Sequence, residues 1–123
     1  MKLNELYTTE SCEVGAEVQI KDGLGNPTNL YIKIKGVDSK AVRQHNKIQR
    51  KAYIESLRSE KPYDEDKYLI DGLVKATIGW RGTTDKFSQK ACRELYENAP
   101  FVCEQLDEFI AERANFTKAK PKK

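Results

Sequence analysis

The sequence AEVQIKDGLGNPTNLYIKIKG, residues 16–36, decides the fold class because two alternating segments flank a turn. Val18 and Ile20 fall on one face of the first segment, and Ile32 and Ile34 fall on one face of the second, as in half-buried strands. The glycines and proline between the segments favour a chain reversal. We therefore predict an antiparallel β-hairpin. An isolated hairpin is marginal in water, so its apolar face must pack on the following helices or on another subunit.

The sequence after the hairpin predicts about four helices. Asp38-Ser39 can cap the first helix, which should be long because residues 40–60 contain no Gly or Pro. Ser88 can cap the third, and Pro100 can begin the last, which keeps helical spacing from Val102 to Arg113. The fold class is therefore α+β and mainly helical, with an N-terminal antiparallel hairpin followed by about four α-helices.

The second of these helices follows Asp64 or Asp66 and is predicted to carry one continuous apolar stripe. The stripe consists of residues at i, i+4, i+7 and i+11, namely Leu69, Leu73, Ala76 and Trp80. This spacing places Trp80 at the helix end, beside the turn-forming Gly79 and Gly82. We favour a structural role for Trp80, in which its side chain covers the core, since it is in phase with the stripe. The alternative is an anchor for a partner, since aromatic side chains dominate protein interfaces.

Length and composition are typical of a single domain with a thin core. The chain has 123 residues, of which 38% are hydrophobic and 33% charged, which suggests a surface that is solvated or covered by a partner. We place the domain at residues 14–116, between an N-terminal segment at residues 1–13 and a disordered basic tail at residues 117–123. No apolar run approaches the ~18 residues that cross a bilayer, so no membrane partner is expected. Three cysteines without CxxC spacing fit free thiols in a reducing cytoplasm.

The sequence contains no cluster of residues typical of an enzyme. His45 is the only histidine and has no neighbouring Cys or Ser to activate, and it gives little support for zinc. The acidic residues of the chain segment 64–71 are better explained as a helix start, where the helix dipole favours negative charge. We therefore predict a protein without catalytic residues, metal or cofactor.

One helix face is basic. Four cations in the predicted helix at residues 40–60 follow i, i+4, i+7, i+8 spacing and share a side, namely Arg43, Lys47, Arg50 and Lys51. We favour a solvated surface, because long charged side chains commonly cover helices. If the face binds a partner, an acidic or amphipathic helix is favoured over nucleic acid, since the net charge is only +3.

Several short motifs occur in a particular order along residues 14–117. They are Lys21-Asp22-Gly23, Gly25-Asn26-Pro27-Thr28, Gly36-Val37-Asp38-Ser39, Gly79-Trp80, Phe87-Ser88 with Ala91, Leu95-Tyr96, Pro100, Glu104-Gln105-Leu106-Asp107, Phe109-Ile110 and Arg113-Ala114-Asn115-Phe116. In this order they resemble the tail assembly chaperones of long-tailed bacteriophages. Turn residues and helix caps recur widely, so it is the combination that carries the resemblance, above all its ending.

The resemblance implies a small hairpin-plus-helices fold without enzymatic activity. Proteins of this family are expected to coat the tape measure protein in the host cytoplasm, keep it soluble, and help tail tube protein subunits polymerise around it. They are not expected in the mature virion. Self-association would suit such a coating protein.

Candidate residues for contact with the client are the four cations Arg43, Lys47, Arg50 and Lys51 together with aromatic side chains, namely Tyr53, Tyr68, Trp80 and the hairpin's Tyr31. Two other functions remain open. One is a permanent structural component of the tail. The other is a small nucleic-acid-binding module that uses the basic helix face and the lysine tail.

Overall fold

The computed structural model describes residues 1–117, in which six α-helices and three β-strands follow a short 3-10 turn at Leu3–Leu6. In chain order the elements are α1 (Thr9–Val14), β1 (Ala16–Lys21), β2 (Pro27–Ile34), α2 (Lys40–Ser59), α3 (Glu65–Ala76), β3 (Thr77–Arg81), α4 (Gln89–Asn98), α5 (Pro100–Ala111) and α6 (Ala114–Thr117). The mixed α+β class predicted from the sequence is confirmed, and 58% of the described residues are helical.

The predicted hairpin is present as β1 and β2, although α1 precedes it. The two strands pair antiparallel with Val18 opposite Ile32. In the turn, the Asp22 carboxylate accepts hydrogen bonds from the backbone amides of Leu24 and Asn26. These local bonds satisfy the backbone of the turn and fix where the chain reverses.

A third strand, β3, pairs antiparallel with β2 and completes a sheet of order β1-β2-β3. One face of the sheet carries the buried side chains Ile20, Ile32 and Ile34. They belong to one cluster with buried residues of α3, α4 and α5, namely Leu73, Val74, Ala76, Cys92, Tyr96, Val102, Cys103, Leu106 and Ile110. The fold therefore has two layers, with helices on one face of the sheet.

The prediction that Trp80 ends a core helix is wrong. Helix α3 ends at Ala76, and Trp80 lies in β3 opposite Ile32. Leu69, Leu73 and Ala76 of the predicted apolar stripe lie in the helix, and Ala76 is its last residue. Thr77 and Ile78 are β-branched and Gly79 is a poor helix former, while pairing with β2 gives the backbone of this segment an alternative set of hydrogen bonds.

The prediction of about four helices is also wrong, because the described chain has six. The four predicted helices occur, and their caps form as expected: Ser39, Asp64 and Ser88 each accept a hydrogen bond from an amide three residues later. Two short helices are additional. One is α1, in the N-terminal segment. The other is α6, which is separate because α5 ends at Ala111 rather than continuing through Arg113. Apart from Thr117, the predicted basic tail lies outside the described residues.

Candidate functional site

Helix α2 is anchored to the domain along one narrow side. Only its residues at helical spacing on that side are buried or half-buried, namely Ala41, Val42, His45, Gln49, Ala52 and Ser56, and the helix packs mainly on α3. Because contact is confined to this strip, the opposite side of a 20-residue helix faces solvent.

The four cations that the sequence analysis grouped on one helix face lie together on that solvent-facing side. Arg43, Lys47, Arg50 and Lys51 are all exposed, as the shared helical spacing predicts. A shallow groove there is lined by Lys47, Arg50, Lys51, Ile54, Glu55 and Arg58. We call the set Arg43, Lys47, Arg50, Lys51, Ile54, Leu57 and Arg58 the α2 outer face.

Three members of the α2 outer face were missed by the sequence analysis. Arg58 continues the row of cations from Lys51 at i+7, and this spacing could have identified it. Ile54 and Leu57 lie among the cations and are 44% and 65% exposed. Their spacing alone does not reveal this exposure, because apolar residues in a helix ordinarily indicate its buried side.

The cations of the α2 outer face form no ion pair within the described chain, although Glu55 lines the same groove. Ion pairs among residues 1–117 join Lys35 to Glu13, Arg81 to Glu17, Arg93 to Asp71 and Arg113 to Asp38. None of them involves a cation of the α2 outer face. Such a surface attracts anions, and the side-chain stems supply apolar contact area at the same time.

His45 has a structural role at the base of α2. Its side chain is buried, and Nε2 lies 2.7 Å from the backbone carbonyl oxygen of Tyr68 in α3. Nε2 must therefore donate, which leaves Nδ1 as the acceptor that faces Lys75 Nζ at 3.4 Å. The imidazole bonds one helix to the next and is not positioned against any nucleophile in the described chain.

Tyr53 and Tyr68 belong to a separate group of tyrosines beside the α2 outer face. Tyr53 packs edge-on against Tyr63, and Tyr63 stacks on Tyr68, with ring centroids 5.3 Å apart in each pair. The three rings connect α2 with the start of α3. Tyr53 is 49% exposed, so part of this group is accessible to a partner.

The remaining aromatic candidates lie on the sheet. The Trp80 indole is half-buried against the core cluster, contacts Phe87 edge-to-face, and donates from Nε1 to the Asp85 carbonyl oxygen at 2.9 Å. Tyr31 lies on the other face of the sheet under the Arg81 guanidinium, 4.1 Å from its ring centroid. The sequence candidates therefore occupy three regions: the α2 outer face, the tyrosine group and the sheet.

In the described part of the chain, no three His, Cys, Asp or Glu side chains lie close enough together to hold a metal ion. No helix within residues 1–117 is long and apolar enough to span a membrane. No protein-family model, curated protein or solved structure matches the chain. The sequence resemblance and the chemistry of the α2 outer face are therefore the grounds for assigning a function.

Proposed function

We propose that this chain is a non-enzymatic tail assembly chaperone of a long-tailed bacteriophage, which binds the tape measure protein, keeps it soluble and aids assembly of the tail tube. The observation that carries the proposal is the α2 outer face. It combines exposed apolar side chains, along one side of a long helix, with cations that form no ion pair within the described chain.

This combination suits an amphipathic helix of the client. Apolar residues of the client would contact Ile54 and Leu57, and client carboxylates would approach Lys47, Arg50 or Arg58. Helix-on-helix recognition of this kind reads apolar positions at helical spacing, while complementary charge selects and orients the partner. A client with a long apolar stripe aggregates when that stripe is exposed, so covering it keeps the client soluble.

The same surface favours reversible binding. Each exposed ion pair contributes at most about 1 kcal/mol, and the two apolar side chains offer a small contact area. One copy would hold a client segment weakly, and several copies would be needed along a long tape measure protein. Weak individual contacts allow the chaperone to be displaced by tail tube subunits in the host cytoplasm, so that it is absent from the mature virion.

Co-expression with the phage's tape measure gene, followed by affinity capture of the soluble fraction, tests the proposal. We expect wild type to recover soluble client and the double variant Ile54→Ser/Leu57→Ser to lose most of it. Ile48→Ser is the matched control, because Ile48 is 50% exposed on the same helix but lies outside the α2 outer face. Equal recovery by all three proteins, or an equal loss with Ile48→Ser, would contradict the proposal.

The exposed cations of the α2 outer face also favour a second candidate, a nucleic-acid-binding module. Binding to phosphates weakens steeply with salt because counterions are released, whereas apolar contact with a client does not. Retention on DNA that disappears with salt and is unaffected by Ile54→Ser/Leu57→Ser would support the second candidate. A permanent tail component is distinguished by mass spectrometry of purified virions, in which we expect no peptide of this chain.

A further inference from the structure

The three-stranded sheet has two edges, and α5 closes one of them. Helix α5 packs on β1, and the side-chain amide of Gln105 bonds to both backbone groups of Lys21. The Lys21 N–H donates to Gln105 Oε1, and Gln105 Nε2 donates to the Lys21 carbonyl oxygen, each at 2.8 Å. The amide thus takes the place of a neighbouring strand at this residue.

The other edge, formed by β3, is open. Within residues 1–117, β2 is the only element that packs extensively on β3. In the same part of the chain, the backbone groups of residues 78–81 have no backbone hydrogen-bond partner outside β2. Alternate N–H and carbonyl groups of an edge strand point away from the sheet. Such a row of groups matches one kind of partner, the backbone of another extended chain.

The side chains of β3 do not protect this edge. Its residues, Thr77–Arg81, include neither Pro nor Lys, which commonly prevent edge strands from pairing. The one charged residue, Arg81, is bonded across the sheet to Glu17 of β1. Ile78 is 39% exposed, so the edge offers apolar surface as well as backbone groups.

A cleft of about 410 Å³ adjoins β3 at the side chain of Trp80. Its apolar lining is formed by Leu30, Trp80, Ala91 and Leu95. We call it the Trp80 cleft. Two carboxylates, Asp85 and Glu94, line it against one cation, Lys86, and none of the three takes part in an ion pair within residues 1–117. An apolar side chain with a neighbouring cation therefore complements the cleft.

We infer that β3 and the Trp80 cleft bind an extended segment of a partner protein. The segment pairs with β3 as a fourth strand, places an apolar side chain in the cleft, and holds a lysine or arginine near Glu94. Backbone hydrogen bonds supply affinity in this mode of recognition, and the cleft supplies selectivity. The inference goes beyond the proposed function, because the site shares no residue with the α2 outer face and leaves that face free for the client.

A synthetic peptide serves as the probe. In acetyl-Thr-Lys-Val-Leu-Val-Lys-Thr-amide, the leucine and both lysines fall on one face of a strand, and the valines fall on the other. Trp80 is the only tryptophan of the chain, so its fluorescence reports on the Trp80 cleft. We expect a saturable change in this fluorescence with a Kd of about 1 mM or below, together with slower amide hydrogen exchange in residues 78–81.

Two backbone-methylated forms of the peptide test strand pairing. One form is N-methylated at both valines and the other at both lysines, which removes donors from opposite edges of the strand. The form whose methyl groups face β3 should bind at least about tenfold more weakly than the unmodified peptide. The other form should bind as the unmodified peptide does, because its side chains and its β3-facing donors are unchanged.

Variants of the protein locate the contact. Glu94→Lys reverses a carboxylate of the Trp80 cleft and should weaken binding at least about threefold at low salt. Glu97→Lys makes the same change one turn later in α4, at an exposed position that does not line the cleft, and should bind as wild type does. Ile54→Ser/Leu57→Ser should also bind the peptide as wild type does, so failure of this inference and failure of the proposed client contact are distinguishable.

Absence of a fluorescence change up to about 1 mM peptide, equal affinity of the two methylated forms, or slower exchange in α2 in place of β3 would overturn the inference. A further contrary result is protection of residues 78–81 that increases with protein concentration in the absence of peptide. A second copy of the chain, rather than a different protein, would then cover the edge.

Discussion

At the scale of single residues, Asp38 connects the two ends of the described chain. Its carboxylate accepts hydrogen bonds from Arg113 Nε and Nη2 at 2.6 and 2.9 Å, and from the Thr8 hydroxyl. Thr8 is the residue before α1 and makes no capping hydrogen bond with its side chain, and Arg113 lies between α5 and α6. The Asp38 side chain thus joins the N-terminal segment and the C-terminal segment to the loop between β2 and α2.

Asp38→Asn should destabilise the protein in a pH-dependent way. The hydrogen bonds from Arg113 and then Thr8 lower the pKa of Asp38 from 3.8 to about 2. A lowered carboxyl pKa stabilises the folded state at pH values above the unfolded pKa, and this contribution is lost as the pH falls through the folded pKa. Since Arg113 is largely solvated, we expect a loss of about 1 kcal/mol at neutral pH.

Urea unfolding between neutral pH and about pH 2 measures this effect. The difference between wild type and Asp38→Asn should shrink as the pH falls from about 4 to about 2. Glu10→Gln, an exposed substitution in α1, should behave as wild type. A difference in stability that does not change with pH would show that the carboxylate charge is not responsible.

At the scale of elements, the position of α2 depends on one close approach to α3. A Cβ atom placed on Gly72 would lie 2.5 Å from His45 Cδ2 and 2.9 Å from Nε2. The imidazole is buried and bonded to the Tyr68 carbonyl, so it has little freedom to move. Gly72 therefore allows the two helices to approach closely enough for that hydrogen bond.

Gly72→Ala has two opposing effects on stability, a gain in helix propensity and a steric clash with His45. Ala in place of Gly in a helix gains about 1 kcal/mol, but displacement of a buried, hydrogen-bonded side chain costs about 1 to 3 kcal/mol. We expect net destabilisation, measured by urea unfolding, and faster hydrogen exchange in α2 than in the sheet. In a His45→Ala background the same substitution should become stabilising, because the imidazole is absent.

Gly79→Ala is the control for this cycle, because a Cβ atom there meets nothing within 4 Å. It should have the same effect in both backgrounds. If Gly72→Ala were stabilising in the wild-type background as well, the close contact would not be what positions α2.

At the scale of the whole molecule, the three cysteines report on global unfolding. Cys12, Cys92 and Cys103 lie in α1, α4 and α5 and are all buried and free. Burial raises the pKa of each thiol, that of Cys103 to about 11. Only the thiolate reacts readily, so both burial and protonation should suppress modification in the folded state.

Labelling of native protein with a thiol reagent at about pH 8 should be at least about a hundredfold slower than labelling in denaturant. Cys92 and Cys103 should react with one common rate, because both belong to the core cluster. Cys12 is buried in α1 outside that cluster, and it should share this rate if α1 opens together with the core. Mass spectrometry of partly labelled protein measures this directly. Early, selective labelling of Cys12 would instead show that α1 opens separately from the rest of the core.

Much of the fold could be predicted because the decisive signals are local. The hairpin follows from alternation and a turn within residues 16–36, and the cap residues Ser39, Asp64 and Ser88 bond to amides three positions away. The basic side of α2 follows from helical spacing alone. In each case the interacting groups are close in sequence, so the pattern contains the information.

The sequence by itself therefore determined the hairpin, the four main helices and the grouping of cations on one side of α2. Only the tertiary structure decided that residues 77–81 form a strand, because their partner β2 lies more than forty residues earlier and its hydrogen bonds outweigh the helical spacing of Trp80 with Leu73. Tertiary structure also decided that Ile54 and Leu57 are exposed. The number of residues that α2 buries depends on which helix packs against it, and a helix's own periodicity does not specify its neighbour.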